Sequence, residues 1–196
     1  WRLKKSLNLN LNQKAFSGAK KKTVNKYTVI KDTREQDGWF FSSYDKCAGM
    51  EIGTLHTGDY TMKGFEDVVC IERKASVSEI AMNLGRKKKP FQEEMERMRD
   101  FQFSFLILEF DMADVLKFPE GSKVPKAARS KVRITGKYLL KCLMEFQIWY
   151  DTKILFCGDK NNAFLVTNSI FKRLSELFQK GTDDEKTSRQ LEFWCP

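Results

Sequence analysis

Asp59 lies in Gly58-Asp59-Tyr60, and Glu72 and Lys74 close the run Val69-Cys70-Ile71-Glu72-Arg73-Lys74. Successive side chains of an extended strand alternate faces, so Glu72 and Lys74 project to one side and Arg73 to the other. A carboxylate then stands beside an ammonium. Asp59, at the end of the preceding hairpin segment, can approach Glu72, and two adjacent carboxylates repel unless a divalent cation neutralises them. Oxygen-only ligands suit Mg²⁺ or Mn²⁺. Such a cation polarises a phosphate and lowers the pKa of a bound water, while Lys74 orients that water or stabilises charge developing on the phosphate. The chemistry is hydrolysis without a covalent intermediate. Taken alone, an Asp followed at this distance by Glu-x-Lys is a weak signal, because acid–lysine pairs are common on exposed edge strands.

These residues need a sheet to hold them. Tyr27 to Ile30, about Met50 to Leu55, Val68 to Ile71, Phe103 to Phe110 and Ile154 to Phe156 are short, rich in β-branched or aromatic residues, and read as strands. Ser76 or Ser78 can cap a helix running through Leu84, and Pro90 suits the first turn of another that ends near Arg99. A further helix is expected over Tyr138 to Tyr150, after Gly136. Phe164, Thr167, Ile170, Phe171, Leu174 and Phe178 recur at helical spacing. Strands alternating with helices predict an α/β fold with a central mixed sheet flanked by helices. The segment Met112 to Thr135, rich in Lys, Pro and Gly, reads as a long loop with a function of its own.

Charge narrows the function classes. The formal charge is +9, and residues 1–31 hold nine Lys/Arg and no acid, so the remainder carries 26 basic and 26 acidic residues. The excess sits in an N-terminal arm containing Lys20, Lys21 and Lys22, interleaved upstream with Leu7, Leu9 and Leu11. Such an arm gains phosphate affinity by counterion release or serves as a solubilising tail. Two further basic runs, Arg86-Lys87-Lys88-Lys89 and the acid-free stretch from Gly121 to Met144 with Lys123, Lys126, Arg129, Lys131, Arg133, Lys137 and Lys141, are candidate DNA contacts. No apolar run is long enough for a membrane span and no signal peptide is recognisable, so an intracellular location is expected, wherever the DNA is, and the nucleus in a eukaryote. Cys47, Cys70, Cys142, Cys157 and Cys195, with His56 as the one histidine, support neither a disulfide framework nor a zinc site.

Asp32-Thr33-Arg34-Glu35-Gln36 directly follows the first strand, then come Gly58-Asp59-Tyr60, Ile71-Glu72-Arg73-Lys74 and the strand Leu106-Ile107-Leu108-Glu109-Phe110. In this order the segments resemble the nuclease domain of the XPF family of structure-selective endonucleases, closely over residues 27 to 110 and by element order over 111 to 180. The resemblance implies a restriction-endonuclease-like fold that cuts flap, fork or other branched DNA with Mg²⁺ or Mn²⁺. It places Asp32 and Glu35 beside the metal site, makes Asp59 and Glu72 its main ligands with Asp32 as a further one, and gives Lys74 the catalytic role. Arg34 and Arg73 either meet the substrate phosphate or brace the carboxylates. For Arg73 a salt bridge on the opposite strand face is the competing reading.

The sequence also departs from the family. Where the pattern places an Asp after Glu-Arg-Lys, Ser78 stands here, with Glu79 one place later. Lys87, Lys88 and Lys89 follow Gly85-Arg86 before Phe91. No tandem helix-hairpin-helix segment follows, so junction binding is expected from the nuclease body, the basic arm or a partner. The chain divides into an arm (1–26), a nuclease domain (27–180) and a tail (181–196) that ends Phe193-Trp194-Cys195-Pro196, a candidate docking peptide. The apolar stretch Tyr138 to Tyr150 suggests a homodimer or heterodimer through the nuclease domain, or a fully buried helix. Trp39, Phe40 and Phe41 either stack on unpaired bases or pack in the core. A nuclease of the same chemistry acting on plain duplex or single strands, and a non-catalytic DNA-binding scaffold, are the alternative functions.

Overall fold

The computed structural model describes residues 26–122 and 124–180, and within them six strands form one sheet in the order β2-β1-β3-β4-β5-β6. The strands are β1 (Tyr27–Asp32), β2 (Cys47–Gly53), β3 (Tyr60–Met62), β4 (Val69–Lys74), β5 (Phe103–Leu108) and β6 (Lys153–Phe156). β1 runs parallel to β2 and antiparallel to β3, β3 is antiparallel to β4, and β4, β5 and β6 are mutually parallel. The sheet is therefore mixed, as the alternation of elements predicts. The N-terminal lysines 20–22, the leucines before them, Lys123 and the aromatic C-terminal tail lie outside the described residues.

Helices cover both faces. α1 (Val77–Leu84), α2 (Lys88–Met98) and α5 (Gly136–Tyr150) lie on one, with α3 (Met112–Lys117) and α4 (Lys126–Arg129) in the connection before α5. α6 (Lys160–Lys180) covers the other. The period-2 pattern of β4 and β5 feeds both cores. Cys70, Leu106 and Leu108 join Ile80, Leu84, Phe91, Met95, Leu139 and Phe146 on the first face. Ile71 and Ile107 join Val29, Trp39, Phe41, Tyr60 and Phe171 on the second. A central parallel strand buried on both sides reads as continuous apolar sequence, which is why β5 has no polar alternation.

Several boundaries differ from expectation. β2 begins at Cys47 and ends at Gly53, earlier than Met50 to Leu55, because its pairing with β1 runs from Tyr27↔Cys47 to Asp32↔Gly53 through two glycines that weaken any strand signal. β3 has three residues, all buried, too few for periodicity to register. The presumed loop 112–135 contains α3 and α4. Asp114 accepts a hydrogen bond from the Asp111 backbone N–H at 3.1 Å, a side-chain cap that a composition reading passes over. Of the two candidate caps for α1, Ser76 is used: Glu79 N donates to its Oγ at 3.2 Å, and the Glu79 carboxylate accepts from Ala75 N at 2.9 Å. α5 is not buried all round. It packs Leu139, Cys142, Leu143 and Phe146 inward and leaves Met144, Ile148 and Trp149 exposed. No helix among the described residues is long and apolar enough to cross a membrane.

Gly136 starts α5 where a Cβ would collide with the carbonyl oxygens of Val115 and Leu116. Backbone cannot yield as a flexible side chain does. Gly136→Ala is expected to lower the unfolding free energy by about 2 kcal/mol despite alanine's better helix propensity. Urea denaturation checks this, and an unchanged midpoint would contradict the packing described.

Candidate active site

β4 delivers its last three residues as the alternation requires. Glu72 and Lys74 face α1 and α2, with Lys74 Nζ donating to Glu72 Oε1. Both are buried, at 4% and 6% exposure, in a region where an unpaired charge is strongly disfavoured. Lys74 also lies 3.7 Å from Glu79 Oε1 and 5.3 Å from the centre of the Phe91 ring. Burial alone would depress the Lys74 pKa, but Glu72, Glu94 and Glu79 outweigh it and raise it, so the ammonium keeps its proton.

Asp59 reaches the same place from the hairpin. Its N–H donates to Ile71 O at 2.8 Å, and its Oδ2 accepts from Arg73 N at 2.8 Å, so the carboxylate takes a hydrogen bond that a strand neighbour would otherwise receive. Gly58 makes this approach possible. Its φ of +80° is favourable only for glycine, and a Cβ there would sit 2.5 Å from Cys70 Sγ. Burial, reinforced by the charge of Glu72, raises the Asp59 pKa to about 8.

The opposite face of β4 holds Arg73. Its guanidinium donates to both Glu109 oxygens, at 2.7 and 2.8 Å, and to Glu35 at 3.4 Å, while lying 5.7 Å from the centre of the Trp39 ring. Trp39 Nε1 donates to the same Glu109 at 2.8 Å. This is the competing reading of Arg73, a salt bridge behind the strand, and Glu35 belongs to that network. Asp32 is likewise occupied. Its Oδ1 accepts from Arg34 N and Nε at 2.8 and 2.7 Å, and its Oδ2 from Leu55 N and Arg34 Nη2 at 2.7 and 3.1 Å. Burial pushes the Asp32 carboxyl up, but the bonds from Arg34 and Leu55 prevail and hold it below its ordinary range. Four donors thus meet its two oxygens. The same bonds tether Arg34, whose side chain is 67% exposed.

Sequence reasoning missed three contributors. Glu94, on α2, has its pKa raised to about 7 by burial and then by the charge of Glu72, which brings a third carboxyl to the cluster. Arg97, one turn on, donates to Thr57 Oγ1 at 2.9 Å and so ties α2 to the turn before Asp59. Glu109 was visible only as a charge ending an apolar strand. For Glu94 and Arg97 the available signal was their position flanking the stripe Phe91, Met95 and Met98, which is buried.

The donor set fits a hard cation. No three Asp, Glu, Cys or His side chains among the described residues close around one point as a metal cage. Mg²⁺ does not need one, since it commonly takes one or two carboxylates and keeps its waters. Asp59 and Glu72 would supply such a pair, and the Asp59 pKa, raised first by burial and then by the charge of Glu72, reflects in part a repulsion that a cation would relieve.

The basic runs converge. Arg86, Lys87, Lys88 and Lys89 are exposed between α1 and α2, and Lys126, Lys131 and Arg133 are exposed before α5. Gly85 packs on Ile134, and Lys88 Nζ lies 3.5 Å from Tyr138 Oη, which joins the two runs beside the helices that carry Glu79 and Glu94. Arg129 differs from the others: it is half-buried, pairs with Glu120 at 3.0 Å and donates to Val124 O at 3.1 Å, so it braces its own loop.

A family model described as the ERCC4 domain matches residues 31–170. The chain is similar in structure to XPF from Aeropyrum pernix, with a TM-score of 0.52 and 22% identity over 76% of this chain and 65% of that one. It is equally similar to XPF from Aeropyrum pernix in complex with DNA, at a TM-score of 0.52 and 22% identity, over 77% and 66% of the two chains. It thus spans just under two thirds of the length of both. No curated protein matches it by sequence.

Two outcomes follow from the buried charges. Glu109→Leu strands Arg73 beside the more distant Glu35 and is expected to cost about 3 kcal/mol, whereas Lys89→Ala, which breaks an exposed pair at 3.9 Å, costs under about 0.5 kcal/mol. Equal thermal shifts in the two variants would contradict this. The second concerns pH. Asp59 binds its proton more tightly folded than unfolded, so without divalent metal stability is fully present below about pH 4 and declines as pH rises through about 8. The slope is at most about 1.4 kcal/mol per unit. Asp59→Asn flattens it, as read by urea unfolding in EDTA across that window, and an unaltered slope would contradict the assignment.

Proposed function

This chain belongs to the ERCC4-domain family of XPF-type nucleases, and on that premise we propose that it is a divalent-metal-dependent DNA endonuclease acting at branched, flap or fork structures. One observation carries the reading: Asp59, Glu72 and Lys74, all drawn from the stretch that matches the family, meet at the end of a central strand in a setting that penalises unpaired charge. A scaffold has no use for crowded carboxylates.

In this reading Asp59 and Glu72 hold Mg²⁺ or Mn²⁺. The bound cation supplies Lewis acidity toward the scissile phosphate and a more acidic water. The chain's residues do the remaining work. Lys74, which stays charged, directs its ammonium at the anionic reacting group once Glu72 is shared with the cation. Arg73 acts from behind: its N–H fixes the Asp59 carboxylate, and its guanidinium is fixed in turn by Glu109 and Glu35. Asp32 organises the loop that carries Arg34 and leaves that guanidinium turned outward for a phosphate. Arg86, Lys87, Lys88, Lys89, Lys126, Lys131 and Arg133 hold the DNA backbone across the α1–α2 side. An enzyme of this kind works inside the cell, where the DNA is.

Labelled flap, fork, duplex and single-stranded DNA, each incubated with Mg²⁺ or Mn²⁺, test the proposal. Cleavage is expected to favour the branched substrates and to fall on the order of a hundredfold or more in Asp59→Ala and Lys74→Ala. Equal cutting of linear DNA would reassign the substrate class while keeping the chemistry. Tight binding with no cutting in either metal would instead make the chain a DNA-binding scaffold.

A further inference from the structure

The loop after β1 places three aromatic residues in sequence but treats them differently. Trp39 and Phe41 are 3% and 2% exposed, whereas Phe40 between them is 72% exposed. Its neighbours prevent it from turning inward. Trp39 stacks on Tyr60 with ring centres 4.9 Å apart, and its N–H donates to the Tyr60 hydroxyl at 2.6 Å. Phe41 packs against Phe164 and Phe171, at 5.1 and 5.8 Å. Gly38 abuts the Tyr60 hydroxyl so closely that no Cβ fits. A loop pinned at Gly38, Trp39 and Phe41 therefore presents the one apolar ring between them to water, at a fixed position.

That ring is one wall of a pocket. Gly38, Trp39, Phe40, Lys160, Asn161 and Phe164 line a shallow, open depression of about 190 Å³, below the usual volume of a site for a whole cofactor or drug-sized ligand and suited to a single flat ring. Lys160 is already neutralised, donating to the Asp37 carbonyl at 2.8 Å and to its carboxylate at 3.1 Å. The lining thus has little net charge for a phosphate but offers an aromatic face and, at Asn161, an amide with both donor and acceptor for a polar edge. The pocket also connects to the candidate active site, since Trp39 Nε1 and Arg73 share Glu109, and Arg73 N holds Asp59.

We propose that this pocket receives an unpaired nucleobase of the DNA, stacked on Phe40, when the strand passes over the end of the central strands that carries Asp59 and Glu72. The proposal rests on the endonuclease reading and deepens it. It gives the enzyme a way to select DNA with unpaired nucleotides beside the cut, because a paired base cannot leave its stack to enter without an energetic cost.

The test is equilibrium binding of the full chain, by anisotropy in EDTA so that no cutting occurs, to a blunt duplex and to the same duplex bearing a single-stranded oligothymidine arm. Phe40→Ala is expected to weaken the armed substrate about tenfold and to leave the blunt one unchanged, with Phe40→Trp restoring affinity. A fluorescent adenine analogue at the first unpaired position is expected to be quenched by the parent protein and not by Phe40→Ala. Equal effects on both substrates, no effect on either, full rescue by Phe40→Leu, or failure of the parent protein to bind the armed duplex would each overturn the proposal. Because binding is read without metal, loss of this subsite is separable from failure of the cleavage reading: a chain that binds the arm through Phe40 and never cuts retains the first and loses the second.

Discussion

Glu72, Arg73 and Lys74 end β4 with exposures between 4% and 6%, and the surrounding structure is organised around that constraint. Three consecutive buried charges on a strand must find partners on two opposite faces at once. The α1–α2 face answers with Lys74 against Glu72, supported by Glu79 and Glu94. The other answers with Glu109 from the end of β5, Glu35 from the loop after β1 and the indole N–H of Trp39. Asp59 bridges the two by accepting from the Arg73 backbone while its carboxylate crowds Glu72. Carboxylates then outnumber cations on both faces, two to one around Arg73 and more heavily around Lys74, where Glu72, Glu79, Glu94 and Asp59 gather.

One short strand thus carries two separate charge networks, one on each face. A buried ion pair seldom adds stability over an apolar replacement, but removing one partner is costly. The Arg73 network braces the strand from behind, with the Arg73 N–H holding Asp59 and the guanidinium held by Glu109. On the other face, Glu72 bears on both Asp59 and Glu94 and adds to the rise that burial gives their pKa values. The turn at Gly58 belongs to the same device: only a residue without a Cβ can press against Cys70 while turning Asp59 toward Glu72.

The sequence made the front face legible and the back face opaque. Alternation within Ile71-Glu72-Arg73-Lys74 places Glu72 and Lys74 together whatever the rest of the fold, and the apolar period of residues 164–178 yields α6 directly. Arg73 stayed ambiguous because its partner, Glu109, is 36 residues distant and pairs only through the register of β4 with β5. The four donors around Asp32 are equally hidden, because a carboxylate's chemistry does not reveal which N–H groups the fold brings to it. Glu94 is marked only by its place beside the stripe Phe91, Met95 and Met98, a weak signal in a helix where three other charged residues stand within three positions of it. β3, α3 and α4 are too short for periodicity, and their formation depends on pairing and caps.

The Arg73 network also restricts the paths along which this sequence can change. Arg73 and Glu109 satisfy each other, with Trp39 and Glu35 completing the set, so replacing either of the first two leaves a buried charge short of its main partner, and the second change that would repair the loss must arrive from a different element of the fold. Single steps away from the present arrangement descend before they climb. Strong epistasis of this kind holds a supporting shell in place as firmly as selection on the chemistry itself, even though none of its members need touch the substrate.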